Sequence, residues 1–365
     1  YRPDGVYPEG PSYWNYGTTY EVLLISSLQN ALNTDWGLMD APGLKRSALF
    51  YAHSAGPSGK SFNFSDGGEG QELSAAIFYF AQVLQQPALV TSKLEMIRRK
   101  QGLSERFAPL IALWWPAAGG SEAALHFSGQ GPQPVAIWRS SWTDPNALYF
   151  AIKGGGAAHN HAHMDAGSFV LDQDGVRWAK DLGMQDYNSL ESQGIDLWNM
   201  RQDSPRWKVF RLGSDAHNTL TIDDQPHSAT GMATLAVQGE QDGVIDMSAV
   251  FQAGQLTRAL RSVRVEPQTV TLSDRVTGLR PGRSVRWAMA TEAAISLQGQ
   301  QVALTFAGKH LQLRFSGTPV TLEVRDISRP ANPLDSANPN TRQLLAHAPV
   351  AADGSWDLTV HFSRD

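Results

Sequence analysis

The chain has 365 residues, 42% hydrophobic and 18% charged, with 30 Lys+Arg against 35 Asp+Glu for a formal net charge of −5. This is the composition of a folded chain with room for two or three domains. Cysteine is absent, which excludes disulfide scaffolds, thiolate metal sites and Cys nucleophiles. The mild acidity argues against nucleic acid as a partner, and no apolar run approaches the ~18 residues of a membrane span.

Residues 1–118 read as helical. The segment 20–33 (YEVLLISSLQNALN) carries Val22, Leu23, Ile25, Leu28, Ala31 and Leu32 in one broad apolar stripe. Further helices are predicted over 44–55, 72–86, 91–101 and 107–115, the last stopped by Pro116 and a Gly pair. From 119 to 365 the pattern changes to short alternating segments punctuated by Gly, Pro, Asp and Asn, beginning at 135–141, 147–152 and 168–171 and ending at 356–362. So many strands without intervening helices predict an antiparallel β-sandwich of two or more sheets. Residues 326–340 read as one long loop. The expected class is α+β and multidomain, a helical domain followed by a large β domain.

Histidine is scarce and clustered. Five of the ten, His159, His161, His163, His217 and His227, fall within one short region. Read as a strand, the stretch HNHAH puts His161 and His163 on one face. With Asp181 and His217 downstream, two imidazoles and a carboxylate could ligate zinc; the alternative is a hydrogen-bonded polar network. A second cluster opens the chain, where five of the nine tyrosines lie in the first twenty residues. A tyrosine whose pKa is depressed by neighbouring cations can act as general acid or base; aromatics here could equally pack the start of the following helix.

Six segments taken together carry a resemblance: DGVYPEGPSYWNYGTTY (4–20), PSGKSFNFSDGG (57–68), WRSSW (138–142), HNHAHMDAGSF (159–169), WAKDLG (178–183) and AHNTLTID (216–223). In this order they resemble the heparinase II/III-like polysaccharide lyases. The resemblance implies a partial α/α toroid followed by an antiparallel β-sandwich, and β-elimination at a 4-O-linked uronic acid of an acidic glycan, heparin/heparan sulfate-like or alginate-like. It implies Tyr13 and His161 as the acid/base pair with Asn160 beside them, and His163, Asp181 and His217 as ligands of a structural Zn2+. Glu9, Trp14, Tyr16, Arg139, Tyr187 and Arg201 are its substrate-facing candidates, Tyr16 also standing as an alternative to Tyr13 and Glu9 reading first as a cap of the loop that follows it. Family members carry further catalytic residues upstream, so the expectation is a C-terminal part whose toroid lacks an N-terminal helical half and which is poorly active alone. The resemblance also implies a periplasmic or secreted bacterial protein. The competing function is a non-catalytic acidic-polysaccharide-binding protein on a lyase fold.

Overall fold

In the computed structural model, which describes residues 1–119 and 123–364, the tyrosine-rich opening is helical. The helix α1 spans Gly10–Leu32, so it begins ten residues before the apolar stripe that predicts it. Gly10 turns the chain at φ +86, where an added Cβ would lie 2.7 Å from the Phe64 carbonyl oxygen, and Pro11 occupies the first turn, where a missing N–H costs nothing. Asn33 in the left-handed conformation ends the helix, its N–H bonded to Gln29. The remaining helices of this region are α2 (Leu44–His53), α3 (Ala75–Val83), α4 (Thr91–Arg98) and α5 (Leu110–Leu113). Every residue of α3 from Ala75 to Ala81 is buried. It is central for that reason, touching α1, α2 and α5.

The strands then follow as β1 (His126–Gly129), β2 (Val135–Arg139), β3 (Tyr149–Lys153), β4 (Phe169–Gln173), β5 (Val176–Ala179), β6 (Leu220–Ile222), β7 (Thr234–Gln238) and β8 (Asp242–Asp246). After these come β9 (Arg258–Val265), β10 (Thr269–Thr277), β11 (Ser284–Thr291), β12 (Ala294–Gln298), β13 (Gln301–Phe306), β14 (Lys309–Gly317), β15 (Thr321–Asp326), β16 (Arg342–Pro349) and β17 (Trp356–Ser363). A short helix α6 (Tyr187–Glu191), capped by the Asp186 side chain, interrupts them. The strands form three antiparallel sheets: β1-β2-β3-β4-β5, β12-β13-β14-β17-β10-β9-β8-β7 and β15-β16-β11-β6.

The five-stranded sheet is buried on both faces, and the alternation of its side chains assigns them to two cores. Val135, Ile137, Tyr149, Ala151 and Val170 join the core of the helices, which includes Trp14, Phe50 and Phe78. Their neighbours Ala136, Trp138, Phe150, Ile152, Phe169 and Leu171 join the core of the larger sheets. The helices therefore cover one face of a sheet that the rest of the β region covers on the other.

One expectation fails at this level. The stretch HNHAH is not a strand: it lies in the connection between β3 and β4, which leaves β3 through three consecutive glycines and carries His161 at φ +62. Arg261 on β9 holds that connection down. It grips Asp274 of β10 with two hydrogen bonds of 2.7 and 2.8 Å and also donates to the carbonyls of Gly167 and Asn218.

Candidate functional site

Four side chains from distant parts of the chain meet at the junction of helices and β3–β4 connection. Tyr13 comes from the first turn of α1 and His161 from the histidine loop; their rings stack with centroids 4.0 Å apart and planes 25° apart. Tyr187, at the start of α6, places its hydroxyl 2.8 Å from that of Tyr13 and 2.9 Å from His161 Nδ1. Asp66 comes from the loop between α2 and α3. One of its oxygens lies 3.1 Å from His161 Nδ1 and accepts the Tyr187 hydroxyl at 2.9 Å; the other lies 2.9 Å from His163 Nε2. The loop of Asp66 is tied to the histidine loop by its own backbone, since Asp66 N–H donates to the His161 carbonyl.

The proton inventory of this cluster is determined by Asp66. Burial raises its carboxyl, but hydrogen bonds from His161 and His163 outweigh that and hold it well below the usual carboxylate range. An ionised carboxylate only accepts, so both ring nitrogens that face it carry hydrogen. The neutral ring of His161 is then the Nδ1–H tautomer with Nε2 bare, and that of His163 the Nε2–H tautomer with Nδ1 bare. Tyr187 has one hydrogen and gives it to Asp66, which leaves Tyr13 as the donor in the Tyr13–Tyr187 bond. Burial pushes the Tyr13 phenol above its ordinary value; the Tyr187 hydrogen bond offsets part of this, and the Asp66 and Glu9 charges add to it. Burial and the Asp66 charge push Tyr187 up much further. Both phenols hold their protons at neutral pH. Trp198 closes one side, edge-on to His161 at 5.2 Å and to Tyr187 at 5.3 Å, with its indole N–H on Glu191.

Behind His163 lies a second cluster. His163, Asp181 and His217 are buried, and one ligand atom from each lies within 4.8 Å of the others. His217 Nδ1 meets Asp181 at 3.0 Å, and Gly183 N–H donates to the other Asp181 oxygen at 2.8 Å. Burial raises the Asp181 carboxyl, but the His217 charge and hydrogen bond bring it down to about 2. His163 Nδ1 and His217 Nε2 are buried without a hydrogen-bond partner among the described residues. Buried orphaned nitrogens are costly in the absence of a ligand. Two unpartnered imidazole nitrogens beside a carboxylate are a donor set that fits a zinc ion once any proton on them is released to it, and Asp66 on His163 is the outer carboxylate that such a histidine usually carries.

The other candidates divide. Tyr16 is 66% exposed one turn beyond Tyr13, against Tyr20. Asn160 is exposed beside His161. Glu9 occupies the N-cap position of α1 without a side-chain capping bond. Arg201 is exposed and paired with Asp203. Two expectations are corrected. Trp14 is wholly buried, its indole N–H on Ser47 at 2.8 Å and its ring stacked on Tyr51 at 4.2 Å, because the helical period that turns Tyr13 toward His161 turns the next residue into the core. Arg139 is also buried: it donates to the His53 and Ala55 carbonyls and lies over the Trp142 ring at 3.6 Å. Its guanidinium ties β2 to the end of α2 and faces no substrate.

Asp66 and Trp198 were not among the sequence candidates. The signal for Asp66 was present: it is the one charged residue of the buried run SFNFSD that follows Lys60. Trp198 carries no comparable signal.

The sequence matches the family described as heparinase II/III-like, C-terminal, over residues 136–357. In fold the chain is similar to the heparan sulfate lyase HepC of Pedobacter heparinus, with a TM-score of 0.68 and 14% identity, covering 100% of this chain and 54% of that one. It is similar to a heparinase III with a TM-score of 0.66 and 14% identity, covering 99% and 54%, and to the heparinase III BT4657 gene product with 0.65 and 14%, covering 100% and 53%. The chain therefore spans about half the length of these structures. No curated protein sequence matches it.

Proposed function

This chain belongs to the heparinase II/III-like family, and on that premise we propose that it is the C-terminal part of a polysaccharide lyase that cleaves a 4-O-linked uronate glycan by β-elimination. The helices of residues 1–118 then form part of an α/α toroid completed by a further helical region, and the substrate is an acidic polysaccharide of the heparan sulfate or alginate kind, met in the periplasm or outside the cell. The observation that carries this reading is the stacked Tyr13–His161 pair, a proton donor against a proton acceptor, with Tyr187 and Asp66 fixing the hydrogens on both.

The elimination needs three events. The C5–H bond breaks, its electrons form the C4–C5 double bond, and the C4–O4 bond breaks with O4 taking a proton. His161 Nε2, bare because Nδ1 donates to Asp66, accepts the C5 proton, and the Asp66 carboxylate stabilises the imidazolium that results. Tyr13 gives its proton to O4. Its raised pKa keeps that proton available at neutral pH, and the neighbouring Tyr187 hydroxyl can turn to donate to the phenolate left behind. Neither histidine nitrogen needs to change place during the reaction.

His163, Asp181 and His217 would hold a zinc ion, which when bound supplies a fixed positive charge and a rigid anchor. Its place behind His163, with Asp66 between His163 and His161, supports a structural role: it braces the loop on which His161 sits.

The test uses the full-length enzyme with heparan sulfate and alginate in parallel, followed by the ultraviolet absorbance of the conjugated unsaturated uronate. Tyr13→Phe and His161→Ala each remove that signal while circular dichroism stays native. Near-native turnover by either variant, or binding of both polymers without any unsaturated product, overturns the reading; the latter outcome is that of a non-catalytic binder.

A further inference from the structure

The eight-stranded sheet packs one face inward and leaves the other to solvent. Paired residues on adjacent strands share a face, so the register defines rows that cross it. One row runs Gln298, Gln301, Arg314, His361, Thr271. The row beside it runs Ser296, Ala303, Gln312, Ser363. Together they line a shallow groove of about 470 Å³ over β12, β13, β14 and β17.

The groove differs from the rest of this face in its charges. Arg264, Arg275 and Arg258, which point to the same solvent side, are paired with Asp242, Asp357 and Asp246. Arg364 at the groove's edge is likewise paired, with Asp174, but Arg314 has no carboxylate partner among the described residues, and the groove is lined by no Asp or Glu at all. The glutamines on either side of it are exposed or half-buried and spend no amide on a side-chain hydrogen bond within the described residues. A free guanidinium in a bed of free amides and hydroxyls is complementary to an anion carried on a polyhydroxylated scaffold. The strand spacing of about 4.8 Å also matches the advance of one pyranose in an extended 4-linked chain, so successive strands can address successive sugars. No Phe, Tyr or Trp lines the groove, and its one imidazole, His361, is bonded to Thr271, so nucleic-acid bases find no row of stacking platforms there.

We propose that this groove is a second binding site for an acidic 4-linked oligosaccharide, with Arg314 taking an anionic substituent and Gln298, Gln301 and Gln312 the ring hydroxyls. The ligand class rests on the lyase reading above; the site is separate from Tyr13 and His161 and retains a long chain on the protein rather than reacting with it.

The experiment is backbone hydrogen exchange on the full chain with three hexasaccharide probes, oligomannuronate, heparan sulfate and neutral cellohexaose, and with a single-stranded oligonucleotide as a fourth. Protection is expected over β13, β14 and β17 with one or both acidic probes and not with the neutral one, and the two acidic arms tell a carboxylate from a sulfate preference. Arg314→Ala, a change at an exposed position, weakens binding read at these strands by about tenfold, and Arg314→Lys recovers part of it. Equal protection by cellohexaose, equal protection by a single-stranded oligonucleotide, no protection by either acidic probe, or unchanged binding in Arg314→Ala overturns the proposal. Because protection is read apart from product formation, protection without any unsaturated product fails only the elimination chemistry, and product without protection fails only this site.

Discussion

His163 turns Nε2 to Asp66 and leaves its other ring nitrogen in a buried space without a partner among the described residues. The same carboxylate faces His161, so one acid sets the tautomer of the base and of a metal-ligand candidate at once. Asp66→Asn presents a donor where an anion was and cannot satisfy both imidazoles. The expected result is a fall in kcat of about 10- to 100-fold with KM little changed, together with weaker zinc retention. Steady-state kinetics and elemental analysis on one preparation check both parts.

Tyr187→Phe isolates the hydroxyl relay from the ring packing. The ring keeps its contacts with Trp198 and His161, so thermal stability changes by about 1 kcal/mol or less. Tyr13 loses its hydrogen-bond acceptor and Asp66 loses a donor. Product formation is expected to drop by one to two orders of magnitude and to retain a residual rate, whereas Tyr13→Phe leaves none. Equal rates for Tyr187→Phe and wild type would remove Tyr187 from the relay.

Metal removal and His217→Ala address one site from two sides. If His163 Nδ1 and His217 Nε2 bind zinc, a chelator lowers the melting temperature of the wild type, because binding to the folded state alone adds to its stability. The same chelator leaves His217→Ala where it was. Additive losses in the variant, or native protein free of metal, would reduce the cluster to a hydrogen-bonded network.

Trp14 separates packing from recognition. Trp14→Ala removes a fully buried indole stacked on Tyr51, at a cost of about 3–5 kcal/mol in chemical denaturation. Trp14→Phe keeps most of the volume and leaves the Ser47 oxygen without the indole N–H it accepts, for a smaller loss. Glycan affinity at the site is unchanged in any Trp14→Phe protein that folds.

How far the sequence revealed this site follows from what each residue's signal was. Apolar period locates α2, α3 and α4 to within a few residues, but it finds α1 only from Tyr20 onward because the first ten residues of that helix bury only Gly10, Pro11, Trp14, Thr18 and Thr19, a set with too few aliphatics to make a stripe. β12 is exposed along nearly its whole length and β16 is buried at four successive positions, so neither carries a clean period-2 signal. The alternating histidines gave a strand reading, and the backbone overrules it: Gly154–Gly156 leave the sheet and His161 takes a left-handed conformation. The pairing of Tyr13 with His161 could be expected only from the family resemblance, since no local pattern joins residues so far apart. Asp66 had a local oddity, an acid in an apolar run, but no pattern that says which imidazoles it meets.

His227 supplies a pH dependence of stability from outside the Tyr13–His161 cluster. It is fully buried, with Nε2 2.8 Å from the Leu220 carbonyl oxygen and Nδ1 without a partner, so the neutral Nε2–H tautomer suits the fold and a second proton has nowhere to bond. Burial depresses its pKa from 6.5 to about 4, with the Leu220 hydrogen bond opposing in part. Between those values the unfolded chain binds a proton that the folded chain does not, so stability rises with pH there. The contribution is complete above the unfolded value and is lost as the pH falls toward the folded one; the difference corresponds to about 3 kcal/mol. His227→Gln keeps a donor for Leu220 and cannot titrate. Urea unfolding across this window is expected to steepen the acid loss in the wild type relative to His227→Gln, and parallel curves would mean that His227 is solvated or already charged in the folded protein.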